Sequence, residues 1–349
     1  MAGKRVYRRR RRLKPWAVAV LVLILVGSLA LLVNGCSGAD APAESEDQTD
    51  QQGGSDQQLD TTVPDESQNA DQGTSTDSQT DGQEDEGGIP SGYTILTMTE
   101  ADMGIGEQIL VSNEHKYTFP ADIESQLEVV ITNKTNSYKS KDYETSVLPV
   151  TVDHLNDMMD DFVAQGGSVS VMVVSGHRTY DYQQGLFDRS AARNGLEHAQ
   201  RFVAQPGGSE HHTGYALDLS VYHSDGTSEE YDGTGEYAWI NENCQNYGLV
   251  VRYATDKADI TGIANEPWHF RYVGIPHATQ MVKEGLCLEE YIDYLKDFTA
   301  QGEHLMIECV SGTYEVWYAE GPAIYVPDSG EYTVSGNNVD GLIVTCKVG

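Results

Sequence analysis

The chain has 349 residues and a formal net charge of −32, enough length for one large domain or two smaller ones once tails and linkers are set aside. Its cations crowd the start: eight Lys or Arg fall within the first fifteen residues, so of the 22 only 14 remain against 54 acidic residues in the rest. Such a body argues against a nucleic-acid partner, which is bound by neutralising phosphates with Lys and Arg.

The basic segment 1–15 leads into an uncharged apolar run from Trp16 to Val33. About 18 to 20 helical residues cross a bilayer, so residues 16–35 are expected to form an N-terminal transmembrane or signal helix. The basic flank belongs on the cytoplasmic side, and the chain after residue 34 is expected to be exported. Gly35-Cys36 also resembles a bacterial lipoprotein cleavage site, so a lipid on Cys36 is the alternative anchor at the cytoplasmic membrane. Residues 36–92 are mostly Ser, Gln, Asp, Glu, Gly and Thr. That composition cannot bury enough apolar surface to offset its ordering entropy, and a disordered acidic linker is expected.

Folded sequence begins near Tyr93. Leu155, Met158, Met159, Phe162 and Val163 share one helical face, and Gly166-Gly167 ends that helix. Residues 169–174 read as a strand that delivers Ser175-Gly176-His177-Arg178 to its end. A helix comes next over 180–193, then the loop QPGGSEHHTG, then a strand over 215–221. A helix near 236–247, strands near 249–253 and 268–273, and two short helices complete a unit expected to span 93–298. In the last segment, 299–349, five strand-like runs separated by Gly, Pro, Asp and Asn predict a small antiparallel appendage. Cys244, Cys287, Cys309 and Cys346 form an even set in a compartment that permits disulfides. Strand-like surroundings favour Cys309 with Cys346 among the three pairings, and four buried free thiols are the equal alternative.

Three stretches carry the chemistry: SEHHTGYALD (209–218), EPWH (266–269) and SGHR (175–178). In a strand through 215–221, Asp218 shares a face with Ala216, opposite Leu217 and Leu219. A carboxylate pointed inward there needs a partner, and a metal ion is the strongest one. A catalytic zinc site takes three ligands from His, Asp, Glu or Cys and keeps a fourth position open. Asp218 and His269 with one histidine of the His211-His212 pair would supply them, and spacing alone does not choose between the two. Pro267 disfavours a helical Glu266, so EPWH is not the i, i+4 arrangement of helical zinc peptidases. It presents one general base, Glu266, beside one ligand. Arg178, at a strand end, is a candidate to stabilise a developing oxyanion. A lone histidine or strand aspartate is more often structural than functional; the joint occurrence is what points to a site.

SEHHTGYALD fits S-x-H-x-x-G-x-A-x-D at every fixed position, and EPWH fits E-x-W-H downstream. Together they resemble the zinc D-alanyl-D-alanine carboxypeptidases of the VanY type, within the larger lysostaphin and D-alanyl-D-alanine metallopeptidase group. SGHRTYDYQ matches a third stretch, with His177 in place of the usual Tyr and Thr179 in place of Ser. The resemblance covers about residues 105–298. It implies zinc on His211, Asp218 and His269, with Glu266 as base and Arg178 facing the reacting carbonyl or the terminal carboxylate. Ser209 and Gln183 would hold the end of the substrate, Trp268 would pack beside the pocket, and His212 would lie at the rim or in solvent. The expected fold is α+β, a small antiparallel sheet with flanking helices around the zinc site. The expected activity is removal of the C-terminal D-alanine from peptidoglycan stem peptides outside the membrane. L,D-carboxypeptidase, dipeptidase and endopeptidase activities on the same site are the alternatives, and a wall-binding module is the non-enzymatic one.

Overall fold

The computed structural model describes residue 89 and residues 91–348. The predicted membrane segment, Cys36 and almost all of the acidic linker lie outside the described residues.

The central sheet holds Ser175, Asp218 and the EPWH stretch in its strands. Its strands are β3 (Lys139–Ser140), β5 (Val171–Ser175), β6 (Ala216–Tyr222), β7 (Ser228–Glu230), β8 (Leu249–Tyr253) and β9 (Glu266–Tyr272). Their order is β3-β5-β6-β9-β8, β7 pairs with the C-terminal half of β6, and the short strands β2 (Glu128–Val129) and β4 (Ser146–Val147) form a separate antiparallel pair. Leu217, Leu219 and Val221 of β6 point to one face and pack on helix α1 (Pro149–Ala164) through Leu155, Met158, Met159 and Phe162. Each such buried side chain contributes about 1.5–3 kcal/mol. Proline at the first turn starts α1, where its missing N–H costs nothing. Helix α2 (Tyr180–Asn194) is capped by Thr179, whose hydroxyl accepts from the Tyr182 N–H at 3.2 Å.

The closing strands are β10 (Leu305–Cys309), β11 (Gly312–Glu320), β12 (Ala323–Pro327), β13 (Glu331–Gly336) and β14 (Gly341–Lys347). Four of them make an antiparallel sheet in the order β10-β11-β14-β13, while β12 pairs with β1 (Tyr93–Thr97). Alternation along β11 sends Val316 and Tyr318 toward helices α3 (Ile275–Glu284) and α4 (Leu288–Leu295). Trp317 and Ala319 go to the other face, against Ile324 and Val326 of β12.

Four expectations need correction. The central sheet is six-stranded and mixed, since β3 runs parallel to β5; two residues of strand leave too short a pattern to read in sequence. The inner C-terminal strands β11 and β14 are buried on both faces, so this region is no mere appendage. The transmembrane or signal helix is withdrawn from the fold: among the described residues no helix is long and apolar enough to cross a membrane, the longest being the 16-residue, amphipathic α1. The Cys309–Cys346 pairing also fails and the free-thiol alternative holds, because all four described cysteines are free. Register explains it: Cys309 faces Gly312 on β11, whereas Cys346 faces Glu315 three residues along.

Candidate active site

Three adjacent strands bring the chemistry together. Asp218 in β6 is the cross-strand partner of Ser175 in β5 and of His269 in β9. Directly opposed residues lie ~4.5–5.5 Å apart at Cβ, so register alone sets the carboxylate beside the imidazole. His211 arrives from the 3-10 turn Glu210–Thr213, which Gly214 ends at φ 75°. A Cβ at Gly214 would be strained and would press on Leu127 and Leu148, which accounts for glycine at that fixed position of the motif.

Glu266 and His269, three apart, would face opposite sides of a regular strand. The register against β8 is irregular here: Val251 pairs with Phe270, but Tyr253 pairs with Glu266. Two steps along β8 thus match four along β9, and the bulge turns both side chains into the same cleft. Pro267, which has no N–H for a ladder, sits in the irregular stretch.

The donor atoms converge on one oxygen of Asp218. Oδ1 lies 3.2 Å from His211 Nε2 and 3.1 Å from His269 Nδ1. All three ligand groups lie within 4.8 Å of one another. Donors held ~2.0–2.2 Å from one tetrahedral zinc ion are roughly 3.3 Å apart, so these spacings fit. His211 Nε2 is buried and has no hydrogen-bond partner, an orphaned nitrogen that a metal would satisfy. Its other nitrogen, Nδ1, donates to the Gly176 carbonyl at 2.7 Å. A Cβ at Gly176 would meet the Ser146 carbonyl at 2.3 Å, so the approach needs glycine.

The charges are strongly perturbed. Burial pushes Glu266 up to about 7; the neighbouring His269 opposes this and the Asp218 charge adds to it. Glu266 Oε2 is 3.8 Å from His269 Nδ1. Burial lowers His211 to about 4, with the Arg178 charge acting in the same sense. Burial also works against His269, but hydrogen bonds to Asp218 and Glu210 raise it to about 9. A cation entering beside Nδ1 therefore competes with a proton. Asp218 is held well below the usual carboxylate range despite its burial, by His211 and Arg178.

Arg178 contacts the ligand set itself. Its Nη2 donates to Asp218 Oδ2 at 2.6 Å, its Nε to Ser175 Oγ at 3.0 Å and its Nη1 to Gln183 Oε1 at 3.3 Å. Of five N–H donors, two are left for the cleft. The cleft encloses about 290 Å³ and is lined by the three ligand residues with Glu266, Arg178, Gln183, Ser209 and Trp268. Leu186, Phe202, Val203 and Ile263 make its apolar wall. Gln183 and Ser209 are buried, and Gln183 Nε2 is held by the Ala204 carbonyl at 2.8 Å.

Two residues have roles that sequence did not assign. His212 is fully buried rather than at the rim. Its Nδ1 donates to the Arg178 carbonyl at 2.7 Å and its Nε2 accepts from the Gly207 N–H at 3.0 Å. With both nitrogens engaged and the ring on Phe119, it pins the loop that carries its neighbour. Glu210 occupies a free position of the motif and is also fully buried, with Oε2 3.2 Å from His269 Nε2. Arg252 and Arg271 flank it at 2.8 and 3.1 Å. An acidic residue beside a ligand was visible in SEHH; its arginine partners, forty and sixty residues on, were not.

A buried pair of imidazoles and a carboxylate around a metal-sized gap, with an unligated carboxylate beside them, defines a zinc hydrolase site. The family model described as VanY, D-alanyl-D-alanine carboxypeptidase, matches residues 144–275. The chain is 33% identical over 258 residues to a D-alanyl-D-alanine carboxypeptidase of Enterococcus faecium, covering 71% of this chain and 78% of that one. With a D-alanyl-D-alanine carboxypeptidase of Enterococcus faecalis it shares 39% identity over 149 residues, 40% of this chain and 53% of that one. The crystal structure of the vancomycin-resistance D,D-dipeptidase VanXYg, in complex with a D-Ala-D-Ala phosphinate analog, aligns with a TM-score of 0.65. That alignment has 28% identity and covers 73% of this chain and 98% of the other. The chain belongs to the VanY family of D-alanyl-D-alanine carboxypeptidases and is a zinc-dependent carboxypeptidase.

Proposed function

We propose that this enzyme removes the C-terminal D-alanine from peptidoglycan stem peptides, with zinc held by His211, Asp218 and His269. The observation that carries this reading is the convergence of those three side chains with Glu266 in one cleft. When bound, zinc supplies a Lewis acid that polarises the scissile carbonyl and acidifies water. Glu266 takes a proton from the attacking water as its oxygen adds to the carbonyl, then passes that proton to the D-alanine nitrogen as the C–N bond breaks. A carboxyl group raised to about 7 suits both directions of transfer. Arg178 offers its two remaining N–H groups to the oxyanion or to the terminal carboxylate. Ser209 and Gln183 take part in holding that end, and Trp268 packs beside it.

In this reading residues 93–298 carry the chemistry, the C-terminal extension 299–349 closes the same fold, and residues 36–92 act as a tether. Export to the outer face and attachment at the membrane through residues 1–36, or through a lipid at Cys36, rest on the basic block and apolar run that open the sequence.

The test incubates the zinc-loaded protein with penta-, tetra- and dipeptide stems and follows released D-alanine by mass spectrometry. Release from the pentapeptide is expected. Release from the tetrapeptide alone would convert the enzyme to an L,D-carboxypeptidase, and release from none would sink the carboxypeptidase reading. His211→Ala is expected to lose zinc and His212→Ala to retain it.

A further inference from the structure

We propose that Glu210 is the positioning residue for His269: it holds the ring by Nε2 so that Nδ1 is the atom offered to the metal. This rests on the zinc-site reading and extends it to a residue outside the ligand set.

Both carboxylate oxygens of Glu210 are committed. Oε2 lies 3.2 Å from His269 Nε2, while Oε1 accepts from Arg252 Nε at 2.8 Å and from Arg271 Nη1 at 3.1 Å. The two guanidiniums are themselves immobilised. Arg271 is fully buried and donates through Nη2 to the Glu107 and Ile109 carbonyls and through Nε to the Tyr272 carbonyl. Arg252 reaches Glu289 Oε1 through Nη2 at 2.7 Å. Turning Glu210 away from His269 would unpair a buried charge, so the carboxylate acts as a fixed acceptor.

The two imidazoles are thus held by unlike partners. His211 donates to a neutral carbonyl, that of Gly176, whereas His269 donates to an anion. A carboxylate behind a ligand histidine fixes its tautomer and makes it a more basic donor to the metal. If Glu210 only neutralised the two arginines, it would have no need to place its second oxygen on His269.

The experiment compares full-length wild type with Glu210→Asp and Glu210→Gln. Zinc affinity is read by competition with a chromophoric chelator, the site geometry by the visible spectrum after Co(II) substitution, and folding by the melting temperature of metal-free protein. Glu210→Asp keeps the charge between the arginines but is one methylene short of His269. It is expected to lose about 10–100-fold in zinc affinity and to shift the Co(II) bands, while melting closer to wild type than Glu210→Gln does. Unchanged affinity and bands in Glu210→Asp would overturn the proposal and leave Glu210 a structural counter-ion. If neither variant folds, histidine ¹⁵N spectra of zinc-loaded wild type decide. His269 metallated at Nδ1 and protonated at Nε2 supports the proposal, and the opposite tautomer overturns it. Wild type that binds no zinc would instead sink the metal reading itself.

Discussion

The sheet that carries the ligands and the sheet that closes the chain are built on opposite principles. Around β6 and β9 the interior holds Glu210, Asp218, Arg252, Arg271 and two histidines, each costly to bury alone and tolerable only because they are paired. The four-stranded C-terminal sheet is filled by Val316, Leu342, Ile343 and Val344, which need no partners beyond van der Waals contact, and by Trp317, whose one polar atom, Nε1, donates to the Tyr325 carbonyl at 3.3 Å. The difference teaches where each region can be damaged: the first fails by losing a partner, the second by losing volume. They meet in residues 105–111, where Arg271 takes the Glu107 and Ile109 carbonyls and Gln108 and Leu110 bond to Ser335 and Asn337.

The largest expected effect belongs to the ligand sheet. Glu266→Gln removes the proton carrier without removing a ligand, and should cost about 10²- to 10⁴-fold in kcat with zinc content and melting temperature near wild type. Full activity in that variant would overturn Glu266 as the base. In the closing sheet the corresponding blow is Trp317→Ala, which empties the largest fully buried side chain. About 3–5 kcal/mol of unfolding free energy should be lost, measured by urea titration, while the folded fraction binds zinc as tightly as wild type. Weakened zinc binding in the folded fraction would show that the two sheets are not separable in this way.

How much of this contrast was legible depends on the same chemistry. Asp218, His269 and Glu266 could be picked out because their joint occurrence in short motifs marks a site, His211 only through the family resemblance since spacing did not choose between it and His212, and α1, α2, β5 and β6 because periodicity and caps mark them. Glu210 and its arginines could not, since an ion pair formed in three dimensions leaves no spacing rule along the chain. His212 was misread for a related reason: a hydrogen-bonded loop histidine looks in sequence like a solvated one. The C-terminal strands were recognised by alternation, yet the burial of β11 on its second face depends on β12 and so on its partner β1, more than two hundred residues earlier. β3 pairs through two residues only, below any readable pattern.

A pH titration sharpens the comparison where a polar group does enter the closing region. His277 of α3 is fully buried, with Tyr291 Oη at 2.8 Å and Thr345 Oγ1 at 2.9 Å from its two nitrogens. Burial lowers its pKa to about 3. The unfolded chain therefore takes up this proton first, near the ordinary value of 6.5. The stability contributed by the neutral ring is complete above about 6.5 and is lost as pH falls from there toward about 3, by up to ~1.4 kcal/mol per pH unit. His277→Gln should remove that increment from the slope of stability against pH between 6 and 4. An unchanged slope would mean that the ring titrates normally in the fold.

The smallest effect is expected at an exposed seam. Lys296, just past α4, reaches Asp293 at 2.8 Å and Asp340 at 2.7 Å, and all three side chains are substantially open to water. If the closing sheet is held by volume, Lys296→Ala should cost only about 0.2–1 kcal/mol, and less at high salt. The turn that carries Asp340 has other restraints, since Asn337 Oδ1 accepts from the backbone of Val339, Asp340 and Gly341, and Tyr318 Oη reaches the Asp340 carbonyl at 3.1 Å. A loss above about 2 kcal/mol in urea titration would contradict the division drawn between the sheets, because it would mean that the C-terminal region also depends on paired charge.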